Sequence, residues 1–426
     1  MMKWYSKCHS ILTLARQNPI KQHHQQFRVG QLFKFIHSSN SATSSSKVTL
    51  DRLMRFGPRP LKPSYLLESA ELTRIELSER LKKRVNAHLS LPFLPASNPH
   101  IKKVMSIYHQ SLQVVDRLPP IRSTEENSEL TKVLETMIDD AQDVIGLFAQ
   151  GFQESKRYLP QEKIDSFLDR AIHSRISLRL IAEQHLTLSK PTQELDPTKI
   201  GIVDQQLQVK KVLDSVLNFV DELCQATYDI SPEWLIDGQV DAKICFIDLH
   251  LQYILLEVLK NAFRATVEHH RNVTKLSHPS LPPIQITLAI QNPPQTKSSN
   301  SEGPLETNLS KNNGHPLSNL FIRIRDCGGG IDPIDLSKVF SYAFTTVGQS
   351  PSQDDIMSPP SDLARISFNW DHNDELKCGL GRLAGLGFGL PMARLYCRYF
   401  DGNLELVNMH GLGGGVDSYI TLGVRS

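Results

Sequence analysis

Apolar side chains recur at helical spacing between about residues 51 and 225. One stripe, at positions i, i+3, i+4, i+7 and i+8, consists of Ile164, Phe167, Leu168, Ala171 and Ile172. Similar stripes run through Val133–Phe152 and Gln206–Leu223, and each places its apolar positions on one face of a helix. Prolines divide the segment into about four or five helices of roughly 15 to 28 residues. The pattern predicts an antiparallel, four-helix-type bundle.

From about residue 226 short alternating runs replace the long stripes. Helices are predicted over Leu249–His269 and Gly389–Phe400. Strands are predicted over Lys243–Asp248, Ile284–Ile290, Leu320–Asp326, Asn403–Val407 and Ser418–Val424. The predicted fold class is α+β, with a helical bundle at 46–225 followed by a mixed α/β-sandwich domain at 226–426.

Two stretches of the second domain carry little helix or strand signal. Residues 291–319 are rich in Ser, Asn, Pro and Lys, which predicts a loop insertion. Residues 345–383 join a helix candidate to a cluster of glycines. Connections of that length are functional lids or disordered segments, and we interpret this one as a lid.

The first fifty residues differ in charge from the rest of the chain. They contain no Asp or Glu, and the first acidic residue is Asp51. A basic, Ser-rich and acid-free leader is typical of a mitochondrial transit peptide, whereas the apolar run Ile11–Ala15 is too short for a secretory signal. We assign residues 1–45 to a transit peptide and exclude them from the fold. The alternative is a disordered basic tail.

The composition excludes several functional classes. The 426 residues carry 47 basic and 45 acidic side chains, a net charge of +2, so there is no global polycation to bind nucleic acid. The sequence contains no run of 18 apolar residues, so it predicts no transmembrane helix. Six cysteines without a CxxC pair argue against a disulfide framework and a cysteine zinc site.

The first of three candidate functional clusters lies on the helix predicted over 249–269. Glu257 and Asn261 are four residues apart and Arg264 follows three later, so all three share one helical face. A carboxylate, a carboxamide and a guanidinium can act as base, metal ligand and phosphate contact. Taken alone, the cluster could equally be an exposed polar stripe.

Two glycine-rich clusters follow. Asp326-Cys327-Gly328-Gly329-Gly330 comes directly after a predicted strand, where glycines permit close approach of a ligand to the backbone. Its carboxylate can accept a hydrogen bond from an amino group, although the segment alone could be a tight turn. Gly385–Pro391 opens a predicted helix, whose free N–H groups suit phosphate. Neither a Walker A nor a Rossmann motif is present. The three clusters together are a stronger signal than any one alone.

In this order the clusters resemble the N, G1 and G2 boxes of the ATP-binding fold shared by gyrase B, Hsp90, bacterial histidine kinases and MutL. Within that group the chain most resembles the mitochondrial 2-oxoacid dehydrogenase kinases, which act on pyruvate or branched-chain 2-oxoacid dehydrogenase. The phrases that carry the resemblance are Arg55–Leu61, Asn98-Pro99-His100, Phe167–Arg170, Ser174–Arg179, Lys260–Glu268, Leu383–Pro391, and Ala393–Tyr396 with Tyr399-Phe400.

The resemblance implies a role for each matching residue. Glu257 would be the general base for a serine hydroxyl, Asn261 would coordinate Mg²⁺ bridging the phosphates of ATP, and Asp326 would accept the adenine amino group. Further residues would line the nucleotide: Lys260 and Arg264 beside it, Gly328 and Gly330 at the adenine, Thr345 and Thr346 at the start of the lid, and Gly385, Leu386, Gly387, Phe388, Gly389 and Leu390 around the phosphates.

By the same resemblance, the protein would be a serine kinase of the mitochondrial matrix. It would phosphorylate and inactivate the E1α subunit of a 2-oxoacid dehydrogenase complex, with ATP and Mg²⁺ as cofactors. The bundle would dock on the lipoyl domain of the E2 core, and the ATP-binding domain would form a homodimer.

Residues that vary between the substrate types give a mixed picture. Tyr253 stands where kinases of the pyruvate type often carry a histidine, and Val416 replaces a threonine expected near adenine. The chain also ends at Ser426, without the long tail of the pyruvate type. Conversely, Leu383-Ala384-Gly385 and Arg394–Phe400 look like the pyruvate type. We expect pyruvate dehydrogenase as the substrate, with the branched-chain complex as the alternative.

Other functional classes have weaker support. A two-component histidine kinase needs a phosphoacceptor histidine with an acidic neighbour, and His173 has none beside it. An ATPase clamp of the Hsp90 or MutL type should continue into a further domain. An inactive adaptor of the complex is the non-enzymatic alternative, against which the presence of both Glu257 and Asn261 argues. Cys327 is interpreted as a small turn residue rather than a redox centre.

Overall fold

A computed structural model of the chain describes residues 47–57, 61–190, 196–291, 318–344, 387–410 and 414–425. The predicted transit peptide, the lid and nearly all of the loop insertion lie outside the described residues. So do four candidate site residues, Thr345, Thr346, Gly385 and Leu386. The described residues belong to one compact unit that begins at Lys47.

Seven helices occupy the described residues up to Ser189. They are α1 (Leu50–Leu53), α2 (Pro63–Leu89), α3 (Phe93–Ser97), α4 (Pro99–Arg117), α5 (Thr124–Asp140), α6 (Val144–Ser155) and α7 (Gln161–Ser189), with 3-10 turns at Met54–Phe56 and Lys156–Tyr158. Local signals define their starts. Asn98 accepts hydrogen bonds from the first N–H groups of α4, and Ser123 and Glu126 form a capping box at α5. The predicted helical bundle is confirmed, although it contains more helices than the four or five expected, and three of them are shorter than 15 residues.

The core of the bundle contains a polar network as well as apolar side chains. His185 on α7 is 1% exposed and lies between Ser69 (Oγ to Nδ1, 3.0 Å) and Asn127 (Oδ1 to Nε2, 2.8 Å). Burial lowers the pKa of His185 to about 4. A neutral imidazole, with one donor and one acceptor nitrogen, satisfies both neighbours. His185 is therefore uncharged in the core of the bundle.

The second half of the described chain contains two sheets. Strands β1 (Lys199–Ile200), β2 (Val203–Gln208) and β4 (Lys243–Phe246) form a small antiparallel sheet. The larger sheet has the order β3-β5-β6-β8-β7, with only β3 parallel to its neighbour. Its strands are β3 (Trp234–Gly238), β5 (Ile284–Gln291), β6 (Ser318–Arg325), β7 (Asn403–Met409) and β8 (Gly415–Val424). The predicted mixed sheet domain is thus present.

Four helices accompany the sheets: α8 (Val209–Tyr228), α9 (Asp248–Thr274), α10 (Pro333–Leu336) and α11 (Gly389–Tyr399). Helix α9 packs against both α8 and α11, and its buried apolar residues face the inner side of the larger sheet. On β6 the inward residues Leu320, Ile322 and Ile324 are buried, whereas Phe321 between them is exposed. This alternation with period two fixes which face of the sheet carries the core. None of the described helices is both long and apolar enough to cross a membrane.

The bundle contacts the second half mainly through α7. Ser177 Oγ lies 2.7 Å from the Tyr399 hydroxyl at the end of α11, and the Val48 N–H donates to the same hydroxyl at 2.9 Å. Two turns nearer the N-terminus of α7, Asp169 accepts a hydrogen bond from the hydroxyl of Tyr342. Helix α8, in contrast, packs on α9. The domain boundary between 225 and 226 stays a prediction.

Candidate active site

Helix α9 carries the carboxylate that the sequence singles out. Glu257 is 5% exposed, and its Oε1 accepts from Lys260 Nζ at 2.7 Å. One turn later, Asn261 Nδ2 donates to the backbone carbonyl of Glu257 at 2.8 Å. That contact directs the amide oxygen of Asn261 away from the helix backbone, where it can accept from a cation. Arg264 pairs with Glu268 instead, at 2.8 Å, and lies further along the helix.

The start of α11 contacts the Glu257 carboxylate directly. A Cβ atom placed on Gly389 would lie 2.2 Å from Glu257 Oε2, so any larger residue there would displace the carboxylate. Gly387 has a φ of +71°, and a Cβ there would collide with the Phe344 backbone at 2.3 Å. The described part of the third cluster, 387–390, therefore meets the first cluster. The start of α11 therefore lies next to the Glu257 carboxylate.

Asp326 lies at the end of β6 and is 6% exposed. Its Oδ1 accepts from the N–H groups of Gly328 at 2.8 Å and Val416 at 3.1 Å. Burial raises the pKa of Asp326, and these two hydrogen bonds act in the opposite direction. Within the described residues both hydrogen bonds go to Oδ1, which leaves Oδ2 to accept from an amino group of a ligand.

The loop after Asp326 packs closely on α9. A Cβ atom on Gly328 would lie 2.5 Å from the Cβ of Ala265, and one on Gly329 would lie 2.3 Å from His269 Nδ1. Gly329 and Gly330 have φ values of +81° and +86°, which favour glycine. The second cluster is therefore held against the helix that carries the first, two turns beyond Glu257.

Sequence reasoning missed residues of β7 and β8 that hold this loop. Asn408 accepts from the N–H of Ile331 at 2.9 Å and donates to its carbonyl at 2.6 Å. Asp417 is fully buried and receives two hydrogen bonds from Arg325, at 2.6 and 2.7 Å. Burial by itself would raise the pKa of Asp417, but the bonds and charge of Arg325 outweigh it and lower the pKa. No local motif marks these residues, because sheet pairing brings them to the loop.

The structure shows the contacts of the two residues that depart from the family pattern, Val416 and Tyr253. Val416 donates its backbone N–H to Asp326, and this hydrogen bond does not depend on the Val416 side chain. Tyr253, one turn before Glu257, is buried and its hydroxyl donates to Met392 Sδ at 3.6 Å. Burial raises the pKa of Tyr253 well above its ordinary value. The charged neighbour of Glu257 is thus Lys260, and Tyr253 stays neutral.

The donor set suits a metal that is carried in with the nucleotide. Among the described residues, no three His, Cys, Asp or Glu side chains form a group that could hold a metal ion. Mg²⁺ is commonly held by one or two protein oxygens together with phosphates and water. The outward amide oxygen of Asn261 fits that arrangement.

Comparison with known proteins identifies relatives along nearly the whole chain. Residues 47–204 match the family model described as mitochondrial branched-chain alpha-ketoacid dehydrogenase kinase. The mitochondrial pyruvate dehydrogenase (acetyl-transferring) kinase isozyme 4 of Mus musculus is 28% identical over 91% of this chain and 87% of its own. The mitochondrial pyruvate dehydrogenase (acetyl-transferring) kinase 1 of Saccharomyces cerevisiae is 25% identical over 99% and 96%.

A solved structure, the mycobacterial sensor histidine kinase MprB, aligns with 52% of this chain and 97% of its own at 15% identity. Its TM-score of 0.29 is too low to support an argument about the fold.

A helical bundle followed by a mixed sheet, with the described parts of the three motifs around one helix, agrees with the fold expected from the resemblance to gyrase B, Hsp90 and the histidine kinases. Within that class, the family model and the named relatives agree. The chain is therefore similar to mitochondrial 2-oxoacid dehydrogenase kinases, over residues 47–204 by the family model and over nearly its whole length by the named relatives.

Proposed function

We propose that this protein is a mitochondrial serine kinase that phosphorylates and inactivates the E1α subunit of pyruvate dehydrogenase. One observation carries the proposal: Glu257, Asn261, the Asp326 loop and the Gly387–Leu390 turn all converge on α9. Phosphoryl transfer from ATP requires these parts: a general base, a cation ligand, an adenine acceptor and a phosphate-binding helix start. The names of the mouse and yeast relatives support the choice of substrate.

Nucleotide binding falls to the residues around Asp326 and α11. Asp326 Oδ2 accepts from the adenine amino group, and Gly328 and Gly330 let the ring approach the backbone. Gly385 to Leu390 surround the phosphates, with Thr345 and Thr346 nearby. Lys260 and Arg264 add positive charge along α9. Mg²⁺, when bound with ATP through Asn261, neutralises charge on the phosphates.

Phosphate transfer falls to Glu257. The serine oxygen attacks the γ-phosphorus, the bond to the leaving oxygen of ADP breaks, and the serine proton passes to the Glu257 carboxylate. The hydrogen bond from Lys260 and the close contact with the start of α11 orient that carboxylate before the substrate arrives. The buried position of Glu257 limits access of water to the base.

The partners follow from the same assignment. The bundle at 46–225 docks on the lipoyl domain of the E2 core, and the kinase domain at 226–426 pairs with a second copy. Four apolar residues stay exposed on the outer face of the larger sheet, and they support such pairing: Leu235, Phe321, Val407 and Tyr419. The protein works in the mitochondrial matrix after loss of residues 1–45.

The substrate is tested by incubating the purified protein with Mg·ATP and either the pyruvate or the branched-chain E1, followed by phosphosite mapping. We expect phosphoserine on the α subunit of pyruvate E1. Phosphorylation of the branched-chain E1 alone would replace the proposed substrate. Binding of both complexes without any transfer would favour the adaptor alternative.

A further inference from the structure

Tyr342, which lies between the two glycine clusters, is bound on one side by a helix of the bundle. It is 1% exposed, and its three polar groups all bond to α7. The N–H donates to Asp165 Oδ1 at 3.0 Å, the hydroxyl donates to Asp169 Oδ1 at 2.8 Å, and the carbonyl accepts from Gln161 Nε2 at 3.0 Å. Gln161, Asp165 and Asp169 are spaced by four residues and form one face of α7.

The other side of Tyr342 contacts the phosphate-binding turn. Its ring centroid lies 5.1 Å from that of Phe388, which is fully buried. The neighbouring Ala343 donates its N–H to the carbonyl of Gly387 at 3.2 Å. Ala343 also has a φ of +61°, a conformation that a residue other than glycine keeps only where its surroundings enforce it. Gly389, which follows Phe388, contacts Glu257.

These contacts form a continuous chain from the bundle to the catalytic carboxylate. We propose that Asp165 and Asp169 are positioning residues for phosphoryl transfer, acting through Tyr342 on the turn from Gly387 to Gly389. The proposal rests on the proposed kinase function. Helix α7 lies outside the nucleotide site, and it would fix the geometry of the phosphate-binding turn. Two anionic acceptors make these hydrogen bonds stronger than neutral ones, as an element that fixes geometry requires.

The test compares two variants that each lose one tyrosine hydroxyl between α7 and the kinase domain. Tyr342→Phe removes the bond to Asp169 beside the phosphate-binding turn. Tyr399→Phe removes the bonds to Ser177 and to the Val48 N–H at the far end of α11 and is the control. Affinity for a non-hydrolysable ATP analogue is measured by calorimetry on the full-length protein, together with KM for ATP, kcat toward E1 and thermal stability.

We expect Tyr342→Phe to bind nucleotide about 3- to 10-fold more weakly and to lose kcat as well. This is less than the full effect of a hydrogen bond to a charged group, because only part of the effect is transmitted to the turn. Tyr399→Phe should lower stability by a similar amount and leave nucleotide affinity unchanged. A second series, at Asp169, separates the loss of this hydrogen bond from a general loss of folding. Asp169→Asn, which keeps an acceptor oxygen, should fall between the wild type and Asp169→Ala.

Equal nucleotide affinity in wild type and Tyr342→Phe, with reduced stability only, would overturn the proposal and leave Tyr342 as a packing residue. The same holds if Asp169→Ala and Asp169→Asn bind nucleotide like the wild type. Failure of the kinase function itself gives a different result, because the wild-type protein would then bind no ATP analogue or transfer no phosphate.

Discussion

The role of Asp326 is tested most sharply by Asp326→Asn. The amide keeps an oxygen that can accept from Gly328 and Val416, so the loop retains its internal hydrogen bonds. The Nδ2 group then stands where Oδ2 faced the ligand, and it presents a donor to the adenine amino group. A charged acceptor is replaced by a second donor in a site that is 6% exposed. Loss of such a bond costs about 2–4 kcal/mol, which is roughly 30- to 700-fold in affinity.

Calorimetry with ATP and GTP measures this effect. We expect the ATP affinity of Asp326→Asn to fall by the stated factor. Its preference for ATP over GTP should fall further, because the amide can donate to the guanine carbonyl. Circular dichroism and thermal melting should match the wild type, since the loop contacts remain. An ATP affinity and an ATP preference equal to those of the wild type would show that Asp326 only shapes a turn.

Two further predictions follow from packing and from charge. Gly389→Ala should lower the rate of phosphate transfer at least 10-fold by displacing the Glu257 carboxylate. Gly146→Ala is the control and should be close to neutral, because a Cβ there would meet nothing within 4 Å. Equal rates in the two variants would refute the contact between Gly389 and Glu257. The stability that His185 contributes should be fully present above pH 6.5 and decrease by about 3 kcal/mol as the pH falls toward 4, because only the unfolded state readily protonates His185. His88 and His250, whose pKa values burial also lowers, add to the decrease in the total unfolding free energy. Urea unfolding at several pH values should give a shallower decrease for His185→Gln, and parallel curves would contradict the assignment.

The sequence predicts the fold well where the signal is local. The apolar stripe around Phe167 defines α7, and the alternation of Leu320, Phe321 and Ile322 defines β6, because each period matches one kind of burial. Glu257 and Asn261 were found from their spacing on a helix. The two glycine clusters could be recognised in the sequence because few other residues fit a tight turn or a close contact with a ligand.

The remaining contacts depend on residues far apart in the chain. Asn408 reaches the Asp326 loop through the pairing of β7 and β8, and nothing in its own neighbourhood marks it. Asp169 meets Tyr342 across a separation of 173 residues. The Lys260 contact with Glu257 could have been anticipated from the i, i+3 spacing, but the contact of Gly389 with the same carboxylate could not.

The central claim is that Glu257 is the base of a serine kinase, and single-turnover transfer from ATP to E1α tests it most directly. Glu257→Gln keeps the shape of the side chain but cannot take the serine proton. We expect it to bind ATP within a few-fold of wild type and to transfer phosphate about 10²-fold or more slowly. Asn261→Ala, measured beside it, should weaken Mg·ATP binding as well as transfer. Transfer by Glu257→Gln at the wild-type rate would contradict the account.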